Sequence, residues 1–262
     1  MSAIIINGSI VHYEALGRGR PVLFLHGWVG SWRYWIPCMQ VASASYRAYA
    51  LDLFGFGETS RDPLHYDLEK QADLINFFLD HLGIGKVAIV GHGLGALVGF
   101  TFMRSWPNSV DRIMAINCPL DYEAVHNRLR SASPDELTSW LSNRSPETAA
   151  ALADASKADQ NAVAASLAGL QTNNLFGEVF DKQVPCLLVY GLNDPAITAP
   201  APGDERTQPA HLHQLNLEGV GHFPMIEEPG RFNRLLTDFL ALDSGFSPRE
   251  LQLKEQWRRR VR

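Results

Sequence analysis

Short apolar runs alternate with amphipathic stretches over most of the chain. The runs are typical of strands and occur at 4–6, 10–13 and 48–51 and in the segments PVLFLHG, KVAIV, VDRIMAIN and PCLLVYG. Helical spacing is found in DLEKQADLINFFLDHLGIG, in LGALVGFTFMRSWP, where Pro107 ends the helix, and in RFNRLLTDFLALD. The asparagine–glycine pair between the first two runs predicts a β-hairpin. Strands that alternate with helices predict an α/β fold, in which helices cover both faces of a mostly parallel sheet.

The middle of the chain, residues 120–182, has a different pattern. It is rich in alanine and serine, and no strand pattern interrupts it. Ser-Pro pairs at 133–134 and 145–146 predict the starts of short helices. Apolar residues recur at helical spacing at Leu137, Trp140 and Leu141. We therefore expect a helical cap over 120–182, inserted between two parts of one core, 1–119 and 183–247; the alternative is a disordered Ala/Ser segment.

The last residues, 248–262, form a separate basic segment. Leu253, Trp257 and Val261 are spaced i, i+4 and i+8, and the other positions are mostly arginine, lysine, glutamate and glutamine. This pattern predicts an amphipathic C-terminal helix. It either packs Trp257 on its own domain or contacts a protein or an anionic membrane surface.

Composition narrows the class of protein. The chain has 262 residues, 46% of them hydrophobic and 19% charged, and a formal net charge of -5. This charge argues against nucleic acid as the main partner.

The three cysteines, Cys38, Cys118 and Cys186, match no metal motif and are expected to be reduced thiols. No signal peptide and no apolar run of about 20 residues is present, so we expect a cytoplasmic protein. No metal or organic cofactor is expected, because the sequence has no dinucleotide-binding fingerprint, no P-loop and no cluster of His or Cys residues that could bind a metal.

Motifs along nearly the whole chain resemble those of the α/β-hydrolase superfamily. They are, in order, FLHGWVGS (24–31), DLFGFGETS (52–60), VGHGLGA (90–96), GLNDP (191–195) and GVGHFPMIEEP (219–229). The similarity is to the capped branch of esterases, epoxide hydrolases and sensors. It implies the α/β-hydrolase fold, a mostly parallel central sheet flanked by helices with a small helical cap inserted.

The resemblance also implies an active-site turn between a strand and a helix, with the pattern Gly-x-nucleophile-x-Gly. Gly91, His92 and Gly95 keep their places in this elbow, but the position of the nucleophile is occupied by Gly93. Glycine tolerates the unusual dihedral angles of such a turn, so we expect the turn to survive. The covalent route through a side chain at this position is lost.

The other parts of the catalytic apparatus are present by the same resemblance. Asp194 corresponds to the acid of the family and His222 to its base. The backbone N–H groups of Leu94 and Trp28 correspond to the oxyanion hole.

Further residues near these motifs are candidates for the pocket. His26 and His92 are expected to be structural. By the same resemblance, His26 holds the loop that carries Gly27 and Trp28, which is called the oxyanion loop below. Trp32 and Trp35 either line an apolar pocket or only pack the first helix against the cap. Cys118 and Asp121, which follow a strand, are possible substitute nucleophiles. We expect Cys118 to be a small buried apolar residue instead.

Several functions remain compatible with these residues. His222, oriented by Asp194, is expected to act as a general base on water or on a substrate proton, in hydrolase-like or lyase-like chemistry on a small apolar molecule. The alternatives are a catalytically silent ligand-binding or scaffold protein, and a serine esterase whose nucleophile was deliberately changed to Gly93.

Overall fold

The fold is built on a single sheet. The computed structural model describes residues 2–142, 146–172 and 175–251. Its sheet has eight strands in the order β1-β2-β4-β3-β5-β6-β7-β8. The strands are β1 (Ser2–Ile6), β2 (Ser9–Gly17), β3 (Arg20–Leu25), β4 (Tyr46–Leu51), β5 (Val87–His92), β6 (Val110–Ile116), β7 (Cys186–Gly191) and β8 (Leu212–Leu217). The β1–β2 and β2–β4 pairs are antiparallel and the other pairs are parallel, which confirms the predicted α/β class.

Local sequence accounts for most of the strands. The hairpin between β1 and β2 turns at Asn7 and Gly8, both with positive φ, as the Asn-Gly pair predicts. Strands β3, β5 and β7 are apolar runs buried on both faces. Strand β8 is absent from the sequence-based expectations. It lies at the edge of the sheet and is buried only at its ends, Leu212 and Leu217, so its polar middle gives no strand pattern.

Helices cover the sheet. Those of the core are α1 (Ile36–Ala42), α2 (Leu68–His81), α3 (Leu94–Ser105), α9 (Pro224–Glu227) and α10 (Pro229–Ala241). The backbone N–H of Lys70 donates to the side chain of Asp67, which caps α2, over 2.7 Å. Helix α3 is buried from Leu94 to Met103, because it lies on the centre of the sheet, and it ends just before Pro107.

A set of short helices fills the segment between β6 and β7. They are α4 (Asn127–Ser131), α5 (Pro134–Leu141), α6 (Pro146–Ala151), α7 (Gln160–Thr172) and α8 (Leu175–Val179). Ser133 and Glu136 form a capping box at the start of α5, and Leu137 and Leu141 are buried. Ser145 lies outside the described residues.

The predicted C-terminal helix falls mostly outside the described residues, because Leu253, Trp257 and Val261 lie beyond residue 251. Of that segment, Pro248–Glu250 form a short 3-10 turn. Within the described ranges, no helix is long and apolar enough to cross a membrane.

Candidate active site

The elbow predicted from the sequence is formed between β5 and α3. Gly93 has φ 49° and ψ -108°, in a region that residues with a side chain rarely adopt. The flanking glycines permit close packing of helix and strand. A Cβ on Gly95 would lie 2.3 Å from the carbonyl oxygen of Leu25, and one on Gly91 would lie 2.6 Å from the amide nitrogen of Ala96. The turn is therefore formed although glycine occupies the position of the nucleophile.

The indole of Trp28 lies over Gly93. A Cβ at position 93 would be 2.9 Å from Trp28 Cζ3 and 3.0 Å from Cε3. Trp28 is fully buried, and its Nε1 donates to Ser166 Oγ of helix α7 over 2.9 Å. Ser31 Oγ donates to Asp154 over 3.2 Å, so a second hydrogen bond joins the same loop to the inserted helices. The indole thus covers the position of the nucleophile and ties it to the region predicted as a cap.

Asp194 and His222 form a buried pair. Asp194 Oδ2 lies 2.9 Å from His222 Nδ1, and neither side chain is exposed. The other carboxylate oxygen accepts a hydrogen bond from the amide of Ala196 over 2.7 Å. A carboxylate can only accept, so the Nδ1 of His222 carries the proton and its Nε2 has a lone pair. Among the described residues, His222 Nε2 is buried without a hydrogen-bond partner.

Asn117 positions the loop that carries His222, and sequence reasoning missed it. It follows β6 with φ 44°. Its Nδ2 donates to the carbonyl oxygens of Gly221 and His222 over 3.2 and 3.0 Å, and its Oδ1 accepts from Gly191 N over 2.9 Å. The available signal was an asparagine directly after a buried apolar strand, a residue type that tolerates positive φ.

Glu227 holds the same loop from the other side. Its two oxygens accept hydrogen bonds from the amides of Gly221 and Phe223, over 2.7 and 2.9 Å. These amides flank His222, so the histidine main chain is fixed on both sides. No motif in the sequence distinguishes Glu227 from its neighbour Glu228.

The two predicted structural histidines support the oxyanion loop. His26 Nε2 accepts from the amide of Leu53 over 3.0 Å, so its Nδ1 donates to the carbonyl of Gly27 at 2.8 Å. The hydroxyl of Tyr34 accepts from Gly27 N and lies 3.1 Å from His92 Nδ1. Burial lowers the pKa of His26 and lowers that of His92 well below its usual value, and the charge of His222 adds to the latter shift.

The oxyanion loop and the elbow lie side by side. The Cα of Gly27 would be 3.8 Å from a Cβ on Gly93. Leu94 is the first residue of α3, so its N–H has no acceptor within the helix and can serve a ligand. The N–H of Trp28 follows Gly27 on the neighbouring loop. The assignment of these two N–H groups as an oxyanion hole stays a prediction.

A second buried His–Asp pair braces this loop. Asp52, at the end of β4, accepts from the amides of Trp32 and Glu58 over 2.8 and 3.1 Å and lies 2.9 Å from His12 Nδ1. Trp32 is partly buried, with its ring 5.8 Å from that of His12. Among the part of the chain that the structure describes, no cluster of three or more His, Cys, Asp or Glu side chains could hold a metal ion.

Trp35 is a core residue, which agrees with the packing alternative for this ring rather than with a place in the pocket. Its ring is fully buried and packs 5.2 Å from Phe24 of β3 and 6.4 Å from Phe232 of α10. Trp35 directly precedes α1, so its ring packs the start of that helix into the core.

The substitute nucleophiles are engaged elsewhere. Cys118 is fully buried, and burial raises the pKa of its thiol well above the usual value, which disfavours the reactive thiolate. The carboxylate of Asp121 accepts hydrogen bonds from Arg206 Nη1 and from Ala124 N, both over 2.7 Å. Neither residue is poised as a nucleophile.

Comparison with known proteins agrees with the fold and its motifs. The chain belongs to the Alpha/beta hydrolase family, whose model matches residues 22–235. The soluble epoxide hydrolase of Corynebacterium sp. strain C12 is 31% identical over 112 residues, which are 43% of this chain and 39% of that protein. The chain therefore matches well under half the length of this curated relative.

Other relatives align over nearly the whole chain. The 2-hydroxy-6-oxo-2,4-heptadienoate hydrolase of Pseudomonas putida is 25% identical over 272 residues, covering 92% of this chain and 96% of that protein. A serine-to-glycine variant of the N-acyl homoserine lactonase AidH, solved with N-hexanoyl homoserine lactone, has a TM-score of 0.78 at 21% identity. It covers 91% of this chain and 96% of that chain, and it confirms the α/β-hydrolase fold.

Proposed function

We propose that this protein is a hydrolase that uses His222 as a general base, without a covalent intermediate, on a small and mostly apolar acyl compound. The observation that carries the proposal is the state of His222. Its Nδ1 is held by Asp194 at 2.9 Å, whereas its buried Nε2 has no partner among the described residues. A buried imidazole that is oriented at one nitrogen and unpartnered at the other is suited to take a proton.

The reaction follows from that lone pair. A water molecule attacks the acyl carbon of an ester or lactone, and its proton passes to His222 Nε2. The carbonyl oxygen gains negative charge and accepts hydrogen bonds from the N–H groups of Leu94 and Trp28. The tetrahedral intermediate then collapses, the alcohol oxygen leaves, and it receives the proton from the imidazolium. The same base would serve a lyase-like reaction by removing a proton from a substrate carbon.

Aromatic rings around the dyad favour an apolar substrate. The ring of Phe223 lies 4.8 Å from that of His222 and 5.9 Å from that of Tyr34, and all three residues are buried. Burial of rings around a few polar groups is typical of sites for small apolar molecules. The N-hexanoyl lactone named for the AidH variant makes medium-chain acyl lactones sensible first substrates.

A silent ligand-binding protein is the second candidate, and one observation favours it. Trp28 covers Gly93, and neither the indole nor the dyad is exposed. A substrate reaches Gly93 only if the indole moves.

The test is turnover of a panel of acyl lactones and short to medium esters. We expect activity that falls by about 10²- to 10⁴-fold in His222→Ala and His222→Asn, the contribution of a general base. Asp194→Asn should also lower the turnover, because it removes the carboxylate that holds His222 Nδ1. His81→Asn, at an exposed histidine of α2, is the matched control and should retain full activity. If no compound is turned over but some bind, the protein is a ligand-binding member of the family.

A further inference from the structure

A basic cavity lies at the edge of the sheet opposite Gly93. The parallel strands begin there, so the first residues of neighbouring strands come together. Arg20 opens β3, Tyr46 opens β4, Lys86 precedes β5, and Asp111 and Arg112 lie at the start of β6. These residues line a cavity of about 210 Å³, together with Pro21, Ala88, Leu240 and Ser244.

Arg112 is the unusual member of this group. It is 1% exposed, so its cation is withdrawn from water. Its Nε donates to Asp111 over 2.7 Å and its Nη1 to the carbonyl of Phe239 over 2.9 Å. Its Nη2 is buried and has no hydrogen-bond partner among the described residues. Buried donors are nearly always paired, so this nitrogen calls for an acceptor.

The charges around the cavity favour an anion as that acceptor. Arg20, Lys86 and Arg112 bring three cations, against the single carboxylate of Asp111. That carboxylate is already engaged by Arg112 and by Ser244, and it lies 3.8 Å from Lys86 Nζ. The lining therefore keeps an excess of positive charge, and the planar fork of Arg112 is suited to an oxyanion.

We propose that this cavity binds a small oxyanion of the phosphate class. The site is separate from the elbow, and the proposal does not depend on the proposed hydrolysis. Arg112 lines the cavity and brings the buried donor that has no partner among the described residues. Lys86, whose side chain is 53% exposed, and Arg20 supply cations at the rim, where an ion enters from solvent.

The test is calorimetric titration of the full chain with inorganic phosphate, near neutral pH and at constant ionic strength. We expect saturable binding with one ion per chain, and weaker binding of acetate. Lys86→Gln and Arg20→Gln should each weaken phosphate binding by about tenfold, the effect of losing one charge-assisted contact. The matched control is Lys70→Gln. The side chain of Lys70 is 49% exposed and pairs with Asp73, much as the side chain of Lys86 pairs with Asp111. Lys70 lies on α2, however, away from the cavity.

Arg112→Lys tests the buried donor while keeping the charge. This variant should lose phosphate binding and keep its circular dichroism spectrum. If it fails to fold, Lys86→Gln and Arg20→Gln test the proposal in its place. The proposal is overturned if the wild-type chain binds no phosphate. It is equally overturned if Lys86→Gln and Arg20→Gln bind phosphate as tightly as Lys70→Gln does.

Discussion

Replacing Gly93 by alanine tests the description of the elbow most directly. The backbone has φ 49° at this position, and forcing a residue with a Cβ into such a region costs about 1–3 kcal/mol. The new Cβ would also lie 2.9 Å from Trp28 Cζ3, and overpacking of a buried site costs about 1–3 kcal/mol more. Reduced entropy of the unfolded chain returns about 0.4–1 kcal/mol. We therefore expect Gly93→Ala to lower the free energy of unfolding by about 1–6 kcal/mol.

Urea denaturation measures this loss, and a second glycine separates its two causes. Gly83 also has a positive φ, of 66°, but a Cβ there would have no atom within 4 Å. Gly83→Ala therefore reports the cost of a positive φ without any new contact. Trp28→Leu removes the indole and leaves a cavity. A double-mutant cycle with Gly93→Ala subtracts the cost of that cavity, because the cavity is present in both variants that carry leucine at position 28. We expect a coupling free energy of about 1–3 kcal/mol, with alanine at 93 tolerated better when leucine is at 28.

Two results would refute this reasoning. Gly93→Ala could cost no more than Gly83→Ala, or the cycle could give no coupling. Either outcome would mean that the indole of Trp28 does not rest on the elbow. The site would then be open to ligands without a movement of Trp28.

Three further predictions follow from the site. Asn117→Ala should lower the free energy of unfolding by about 1–3 kcal/mol and reduce turnover, because it leaves the His222 loop unpaired; urea denaturation and kcat measure the two effects. Burial lowers the pKa of His26 and His92, so the stability that these two rings contribute should be complete above pH about 6.5 and fall at lower pH, by at most about 1.4 kcal/mol per pH unit for each ring. The pKa of His12 is raised, so its contribution is complete below pH about 6.5 and is lost as the pH rises above that value; a flat profile below pH about 6.5 in urea denaturation would contradict the buried neutral state of His26 and His92. The wild-type chain should not react with a fluorophosphonate probe in gel-based labelling, and clear labelling would reveal another nucleophile.

The sequence predicted the sheet and its helices because most strands are continuous apolar runs and the helices have clear caps. The hairpin, the elbow and the Ser133 cap follow from local rules of this kind. Strand β8 could not be predicted in this way, because an edge strand that is buried only at its ends shows no alternation of apolar and polar residues. For a related reason the sequence left two alternatives open for Trp35, since spacing within a segment does not reveal which of two faces a ring will meet.

The relations between distant residues were not predictable. Asn117 reaches the His222 loop across 105 residues, and Trp28 reaches Ser166 across 138. Glu227 fixes the same loop through main-chain amides, which carry no sequence signal. These contacts depend on how the strand ends meet at one edge of the sheet, and no local pattern encodes that.

These contacts change how the retained residues should be interpreted. His26 and His92 hold the oxyanion loop by hydrogen bonds that serve folding, and the two elbow glycines are required by close packing. Their presence beside Gly93 would therefore persist in a protein without catalysis. His222 differs in its surroundings. Its Nε2 is buried without a partner among the described residues, as are those of His12 and His92, but its Nδ1 is held by Asp194 and its ring lies 4.7 Å from that of His92 in the elbow. An imidazole that is oriented beside the elbow and keeps a lone pair on Nε2 is the arrangement that the proposed general base requires.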